Sequence, residues 1–441
     1  MRRILENSHA RLRKSSFFKN VFVVMSGTAT AQAIGFALTP IISRLFTPSD
    51  FGVFGSFNAI FSVIAAGVTL EYSQAIMLPK ERENAINLFF VSCLCTFAIG
   101  FLCLTACLLA PTYLNGIMKT SGVWALVLLV AAVIISGLNV SFQAWCVRVK
   151  AFKHTSASQV IRSISSSGTK IGFGYLNGGA AGLIISNILA NILASINLVH
   201  VLIPDVLSLR QSIRWARLKQ LAKEYWDFPM YSASQNVINA LSSGLPVLLL
   251  THFYGIAAAG AYAFGISILQ VPMGFVLSAL RQVLFQKAGE TQYQSGKLAA
   301  LYVKITVGLF ALAFFPSLVL FIWSPEIFTW IFGTQWDVAG AFARYLVLWL
   351  TVVFCNLPAV LFARIIRIQR TVFLYDLVLL AARVLSLVLG GLYLNALQTI
   401  ILFSVVGAAM NFFLILLVGH AVMKKEGPVD MERIRDALMK G

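Results

Sequence analysis

Acid is scarce in this chain: Asp and Glu together number 16 among 441 residues, against 34 Lys and Arg, and charged residues of both signs reach only 11%. Hydrophobic residues make up 59% and the mean hydropathy is +0.84. A soluble core of this size would have too little charge to cover its surface, which excludes an ordinary globular enzyme. Cysteine and histidine are also thin, at six and five residues. The histidines are scattered and no CxxC pair occurs, so no structural metal site is expected, and Cys93, Cys95, Cys103, Cys107, Cys146 and Cys355 read as packing residues within apolar stretches. The phosphate loop GxxxxGK[ST], the nucleophile elbow GxSxG and the zinc motif HExxH are all missing. Nucleotide-driven motors, serine hydrolases of that type and zinc proteases are thereby excluded. No basic face with interleaved aromatics appears, so nucleic acid is not an expected partner.

What the chain has in place of these is a recurrence of apolar stretches. Each is long enough as a helix of about 20 residues to cross a hydrocarbon layer of about 30 Å. Twelve are expected, at 20–42, 52–78, 85–110, 122–146, 156–175, 180–203, 230–253, 257–284, 298–323, 339–362, 371–392 and 397–421. The first follows a basic segment and is followed by TPIISRLF without a small-residue cleavage site, so it is read as a retained span. With the N-terminus inside, the loops near residues 80, 150, 215, 290 and 367 and both termini collect nearly all the Lys and Arg, while opposite loops hold only Arg44 and Lys119. That asymmetry predicts an even number of spans with both ends cytoplasmic. It also accounts for most of the net charge of +18. The longest stretch on the outer side is SPEIFTWIFGTQWDVAG, 324–340, which leaves no room for an outer catalytic domain.

The fold class expected is therefore an all-α polytopic membrane protein of about twelve helices in two six-helix lobes. Residues 1–203 form the N-terminal lobe, 204–229 an amphipathic cytoplasmic linker, 230–421 the C-terminal lobe and 422–441 a cytoplasmic tail. In the linker, Leu207, Leu209, Ile213, Leu218 and Leu221 alternate with Arg and Lys, a pattern suited either to an anionic inner leaflet or to a solvated connector. The halves echo one another: Pro40 precedes Gly52 in FGVFGSF much as Pro246 precedes Gly260 in AGAYAF. Such duplication is common in transporters.

Charges inside the spans carry the functional signal. On a helix of about 100° per residue, Thr155, Ser158, Gln159, Arg162, Ser166, Thr169 and Lys170 fall on a face about 120° wide. Val160, Ile164 and Ile171 lie opposite. A charge at mid-bilayer costs about 2.5–3.5 kcal/mol on insertion scales, so the cationic stripe is expected to line an internal cavity. The competing reading is that Arg162 and Lys170 snorkel toward opposite headgroup layers. In the eleventh span Asp376 and Arg383 are seven residues apart, about 10 Å along the axis, too far for an intrahelical pair. Arg383 then needs a cavity, a carboxylate from another helix or an anionic ligand. Glu71 reads as a proton or cation site, or as the partner of a basic residue. Lys304 and Arg344 lie near the interfaces and read as anchors.

Neutral polar faces occur on the first helix, with Thr28, Gln32, Thr39 and Ser43, and on the seventh, with Ser232, Gln235, Asn239, Ser242 and Ser243. They serve either a ligand or interhelical hydrogen bonding. Prolines 40, 246, 272, 316 and 358 are expected to kink their helices. Five intramembrane cations against Glu71 and Asp376 leave an excess of positive charge, which favours an anionic headgroup, and arginine is shaped for phosphate.

The stretch LTPIISRLFTPSDFGVFGSFNAIFSVIAAGVTLEYSQAIMLPKERENAINL, 38–88, strongly resembles the start of bacterial polysaccharide flippases of the Wzx type. These belong to the multidrug/oligosaccharidyl-lipid/polysaccharide exporter superfamily. Blocks at 221–250, 258–290 and 331–340 agree, so the resemblance runs over most of the chain. It implies two six-helix lobes around a central cavity, alternating access, and a cargo of undecaprenyl-pyrophosphate-linked oligosaccharide moved across the bacterial inner membrane for O-antigen, capsule or related glycan assembly. It also implies coupling to a proton or sodium gradient or to membrane potential, with no cofactor. The partners expected are the lipid-linked cargo, membrane lipids and other polysaccharide assembly proteins, with a monomeric chain favoured.

On the combined reading Arg162, Lys170 and Arg383 hold the pyrophosphate, Thr28, Gln32, Gln235, Asn239 and Ser242 contact sugars, and Glu71 and Asp376 take part in ion coupling. The rivals are a drug/cation antiporter of the same fold, which would want acidic walls, and a membrane glycan polymerase or transferase, which would want paired carboxylates or a sizeable outer loop.

Overall fold

A computed structural model describes residues 26–291, 298–366 and 368–426, with the side chains at 278–279, 281–291, 364, 369 and 425–426 left aside. The basic N-terminal segment, the start of the first expected span and most of the C-terminal tail lie outside these residues. Among the described residues every regular element is helical. In chain order they are α1 (26–45), α2 (Pro48–Gly67), the single turn α3 (Tyr72–Ala75), α4 (Arg82–Leu109), α5 (Pro111–Met118), α6 (Trp124–Arg148), α7 (Phe152–Tyr175), α8 (Gly179–Leu209), α9 (Trp215–Glu224), α10 (Ser234–Tyr254), α11 (Ile256–Thr291), α12 (Leu298–Phe332), α13 (Asp337–Cys355), α14 (Leu357–Ile365), α15 (Gln369–Tyr393) and α16 (Ala396–Glu426).

Each of the twelve expected spans falls on a helix or a consecutive pair. Among the described residues ten segments are long and apolar enough to cross a membrane by length and composition. α7 is not among the ten, because its polar face lowers its hydropathy, and α1 is not among them over the described residues 26–45. Local chemistry sets several ends. Thr47 opens α2 with a reciprocal cap: its hydroxyl accepts from the Asp50 amide at 3.2 Å, and the Asp50 carboxylate accepts from the Thr47 amide at 2.9 Å, with Pro48 in the first turn. Gly255, at φ +85, turns the chain between α10 and α11 in one residue, a conformation that glycine takes without a Cβ penalty.

The chain divides into two compact units, Met1–Leu248 and Leu249–Gly441. In unit 1, one apolar core joins Phe57, Val68, Leu129, Val133 and Ile184. A second joins Tyr72, Ile76, Ile86, Phe89, Trp145, Leu218 and Leu221. In unit 2 the main core gathers Tyr302, Phe354, Phe362, Tyr375, Leu414 and Val418. There, Phe264 stacks on the fully buried Trp336 at 3.9 Å between ring centroids, with Phe328 and Phe332 edge-on.

Four expectations change. The second span is not one helix to residue 78: α2 stops at Gly67, and Leu70 and Glu71 adopt left-handed backbone at φ 47 and 61. The stretch 324–340 is not an open loop, since α12 runs on to Phe332 and Gly333, at φ +111, turns directly into Thr334–Trp336. Pro358 kinks nothing, because the helix ends at Cys355 and Pro358 sits in the first turn of α14, where its missing N–H is not needed. In the linker, α9 is amphipathic, but Leu218 and Leu221 are buried against the second core, so protein covers that face.

Candidate functional site

α7 is where polarity concentrates, and the structure divides its stripe between two neighbours. Toward α8, the Ser158 hydroxyl donates to the Ala194 carbonyl at 3.0 Å and the Ser166 hydroxyl to the Asn187 side-chain oxygen at 2.9 Å. Toward α1, the Thr28 hydroxyl donates to the Gln159 side-chain oxygen at 2.8 Å, and the Ser163 hydroxyl to the Ala31 carbonyl. The Thr169 hydroxyl turns back onto its own helix, to the Ser165 carbonyl. Most neutral members of the stripe therefore bind helices together. Gly27 allows this: a Cβ there would meet the Ser156 side chain.

The two cations of the stripe behave differently from the hydroxyls. Arg162 is exposed, while Lys170 is half-buried with its ammonium 5.6 Å from the centre of the Phe54 ring on α2. Among the described residues neither makes an ion pair, the one salt bridge being Arg82–Asp205 at 2.9 Å. The opposite side follows expectation at Ile164, which is 53% exposed, but not at Ile171, which packs against Ile42, Phe46 and Leu183.

The left-handed break after α2 holds Glu71. One carboxylate oxygen accepts from the Asn236 side-chain amide of α10 at 2.8 Å and the other from Gln74. Around it the Thr69 and Ser73 hydroxyls pair at 3.1 Å, and the Tyr72 hydroxyl donates to the Ala222 carbonyl at 2.8 Å. Two successive non-glycine residues in this conformation cost about 1–3 kcal/mol each, and such strain persists only where surrounding contacts fix it. Asn236 was invisible in the sequence pattern, though it adjoins the polar face. A double-mutant cycle with Glu71→Gln and Asn236→Leu is expected to give a coupling energy of about 1–2 kcal/mol in thermal or denaturant unfolding.

The remaining α10 candidates take no part in this contact. Gln235 and Asn239 are exposed, Ser242 is half-buried, and Ser243 is occupied by the Asn239 carbonyl at 2.9 Å. Gln32 on α1 is exposed as well.

In unit 2, Arg383 is half-buried among rings from other helices. Its guanidinium carbon lies 4.7 Å from the centre of the Trp349 ring on α13 and 5.9 Å from that of Phe403 on α16. Its Nε is buried with no hydrogen-bond partner. Asp376 is exposed, and among the described residues it forms no ion pair with Arg383. No local spacing links Arg383 to Trp349 or Phe403, so the sequence showed a buried cation without its surroundings.

The sequence pattern of the family described as polysaccharide biosynthesis protein matches residues 41–341, more than half of the chain. A search of the curated proteins gives no match. Solved structures are similar over nearly the whole fold. An inward-facing multidrug resistance MATE family transporter of the MOP superfamily superposes with a TM-score of 0.66 at 16% identity, covering 92% of this chain and 96% of its own. The lipid II flippase MurJ, in an inward closed conformation, gives a TM-score of 0.66 at 12% identity, covering 95% of this chain and 90% of its own. A MOP superfamily transporter from Pyrococcus furiosus, described as having a binding pocket of reverse polarity, gives 0.60 at 15% identity, covering 92% and 95%. At such identities these likenesses establish the fold, a multi-pass helical architecture shared by transporters and flippases. Matched along residues 41–341 and folded in this way, the chain belongs to the polysaccharide biosynthesis protein family.

Proposed function

We propose that this chain is a flippase that carries undecaprenyl-pyrophosphate-linked oligosaccharide from the cytoplasmic to the outer leaflet of the bacterial inner membrane by alternating access, in the assembly of O-antigen, capsule or a related glycan. One observation carries the reading most: α7 holds Arg162 exposed and free of any ion pair among the described residues, within a helix otherwise fastened by its hydroxyls to α1 and α8. A rigid helix presenting an unpaired guanidinium is suited to a phosphate, because charge-assisted bidentate contacts need a fixed donor fork. Lys170 adds a second positive charge two turns along the same helix. Family membership and the fold of transporters and flippases support the same class of cargo.

Sugars are assigned to the exposed amides Gln32, Gln235 and Asn239, and the polyprenyl tail remains in lipid. Thr28 and Ser242 are secondary candidates, Thr28 because its hydroxyl already serves Gln159. Glu71 is assigned to ion coupling, since it sits at a strained break and ties it to α10; Asp376, exposed on α15, is the second candidate. Arg383, the third cation, lies among the rings of Trp349 and Phe403 in unit 2.

The test is transbilayer movement of a fluorescent undecaprenyl-pyrophosphate oligosaccharide in proteoliposomes containing the purified protein, with and without proton and sodium gradients. Movement above that of protein-free vesicles is expected. Wild-type protein that is monodisperse and folded, yet moves no lipid under any gradient, would overturn the flippase reading.

A further inference from the structure

Arginine cannot discharge by losing its proton at any accessible pH, so a buried guanidinium must be neutralised by something else. Arg383 lies in the eleventh span on α15, with Trp349 of α13 against it and Phe403 of α16 nearby. No carboxylate lies within ion-pair distance of it among the described residues. The groups within electrostatic reach are Tyr262 of α11 and, on its own helix, Tyr375 and Asp376, the last with its side chain exposed.

The donors around Arg383 are also without acceptors. Trp349 is only 7% exposed and its indole N–H is buried and unpartnered; eight residues before Arg383 on α15, the Tyr375 hydroxyl, 6% exposed, is unpartnered too. The Arg383 Nε is a third such atom. All seven buried polar side-chain atoms without partners among the described residues belong to unit 2, between Ser324 and Ser404. Unit 1, richer in buried hydroxyls and amides, satisfies its own among the described residues. Native interiors leave few such groups, and a cluster of them asks for a ligand.

We propose that unit 2 carries an internal site for a small monovalent anion of the halide class, bound by the Arg383 guanidinium and the unpartnered indole N–H of Trp349. The sign follows from the donor set: guanidinium and indole N–H groups only donate, so the site suits an acceptor of negative charge and repels a metal cation. The charge follows from the count. One guanidinium, with no second base among the groups named and the Asp376 side chain exposed to solvent, balances a single negative charge. A pyrophosphate, with more than one charge, is poorly matched there. The site is thus separate from the cargo contact assigned to Arg162, and the two assignments can fail independently.

The experiment is thermal unfolding of the purified full chain in detergent, followed by intrinsic fluorescence, as sodium gluconate is replaced by sodium chloride or bromide at constant ionic strength. A saturable rise of a few degrees is expected in wild type and in Arg162→Gln, and its loss in Arg383→Gln. If Arg383→Gln does not fold, Trp349→Phe decides. It keeps a ring beside the guanidinium but removes the indole donor, and the half-saturating halide concentration is expected to rise several-fold. Absence of a saturable halide effect in wild type, or an effect unchanged in Arg383→Gln or in the Trp349→Phe variant used in its place, would overturn the proposal. So would stabilisation by inorganic pyrophosphate at concentrations where chloride does nothing, if it were lost with Arg383, since Arg383 would then belong to the cargo site.

Discussion

Arg162→Gln is expected to lower the initial rate of pyrophosphate-linked oligosaccharide movement by roughly tenfold to a hundredfold, while leaving the unfolding temperature within about a degree of wild type. The size follows from losing a charge-assisted contact to phosphate, about 1.5–3 kcal/mol. The absence of a stability effect follows from the position: Arg162 is exposed and makes no ion pair among the described residues, and the links from α7 to its neighbours run through Ser158, Gln159, Ser163 and Ser166. Arg162→Lys should fall between, because an ammonium keeps the charge and loses the fork. Lys170→Met is expected to cost less than Arg162→Gln, since the Lys170 ammonium is already engaged with the Phe54 ring. The measurement is dithionite or lectin accessibility of labelled cargo in proteoliposomes, normalised to folded protein. A rate for Arg162→Gln equal to wild type would remove Arg162 from the cargo site and leave the positive charge of α7 as a topological signal only.

The spans were legible because hydropathy is a sum over about 20 residues and tolerates local irregularity. Breaks within spans were not. TLEYSQAI contains neither glycine nor proline, and the break at its left-handed Leu70 and Glu71 is held by partners distant in sequence, Asn236 for Glu71 and Ala222 for the adjoining Tyr72. The same limit applies to α7. A helical wheel collects seven polar residues of α7 on one face, but a face borders more than one neighbour, and only the structure shows Ser166 going to Asn187 while Gln159 goes to Thr28. For Arg383, burial could be inferred from its depth in an apolar run. Its aromatic surroundings come from α13 and α16, so no periodicity in α15 could have named them.

A change of one methyl group should have opposite effects at two glycines of unit 2. Gly340, near the start of α13, is crossed by α12 so closely that a Cβ would lie 2.6 Å from the Pro325 Cα and 3.0 Å from both the Ser324 carbonyl oxygen and the Phe328 Cβ. Two of these three are backbone atoms, which cannot rotate aside, and Ser324 and Phe328 are buried at 0% and 1% exposure. Relief would require α12 and α13 to separate where Phe328 packs against Phe264. Gly340→Ala is therefore expected to destabilise unit 2 by about 3 kcal/mol, the upper end for an overpacked interior. At Gly308, in the interior of α12, a Cβ would meet nothing within 4 Å. Gly308→Ala should be neutral or stabilising by up to about 1 kcal/mol, because alanine loses less backbone entropy in a helix than glycine does. Unfolding of the two variants in one detergent, side by side with wild type, measures both. Equal stability would mean that α12 and α13 do not approach as closely as the Gly340 contact requires, and that the small residue there serves the helix and not the crossing.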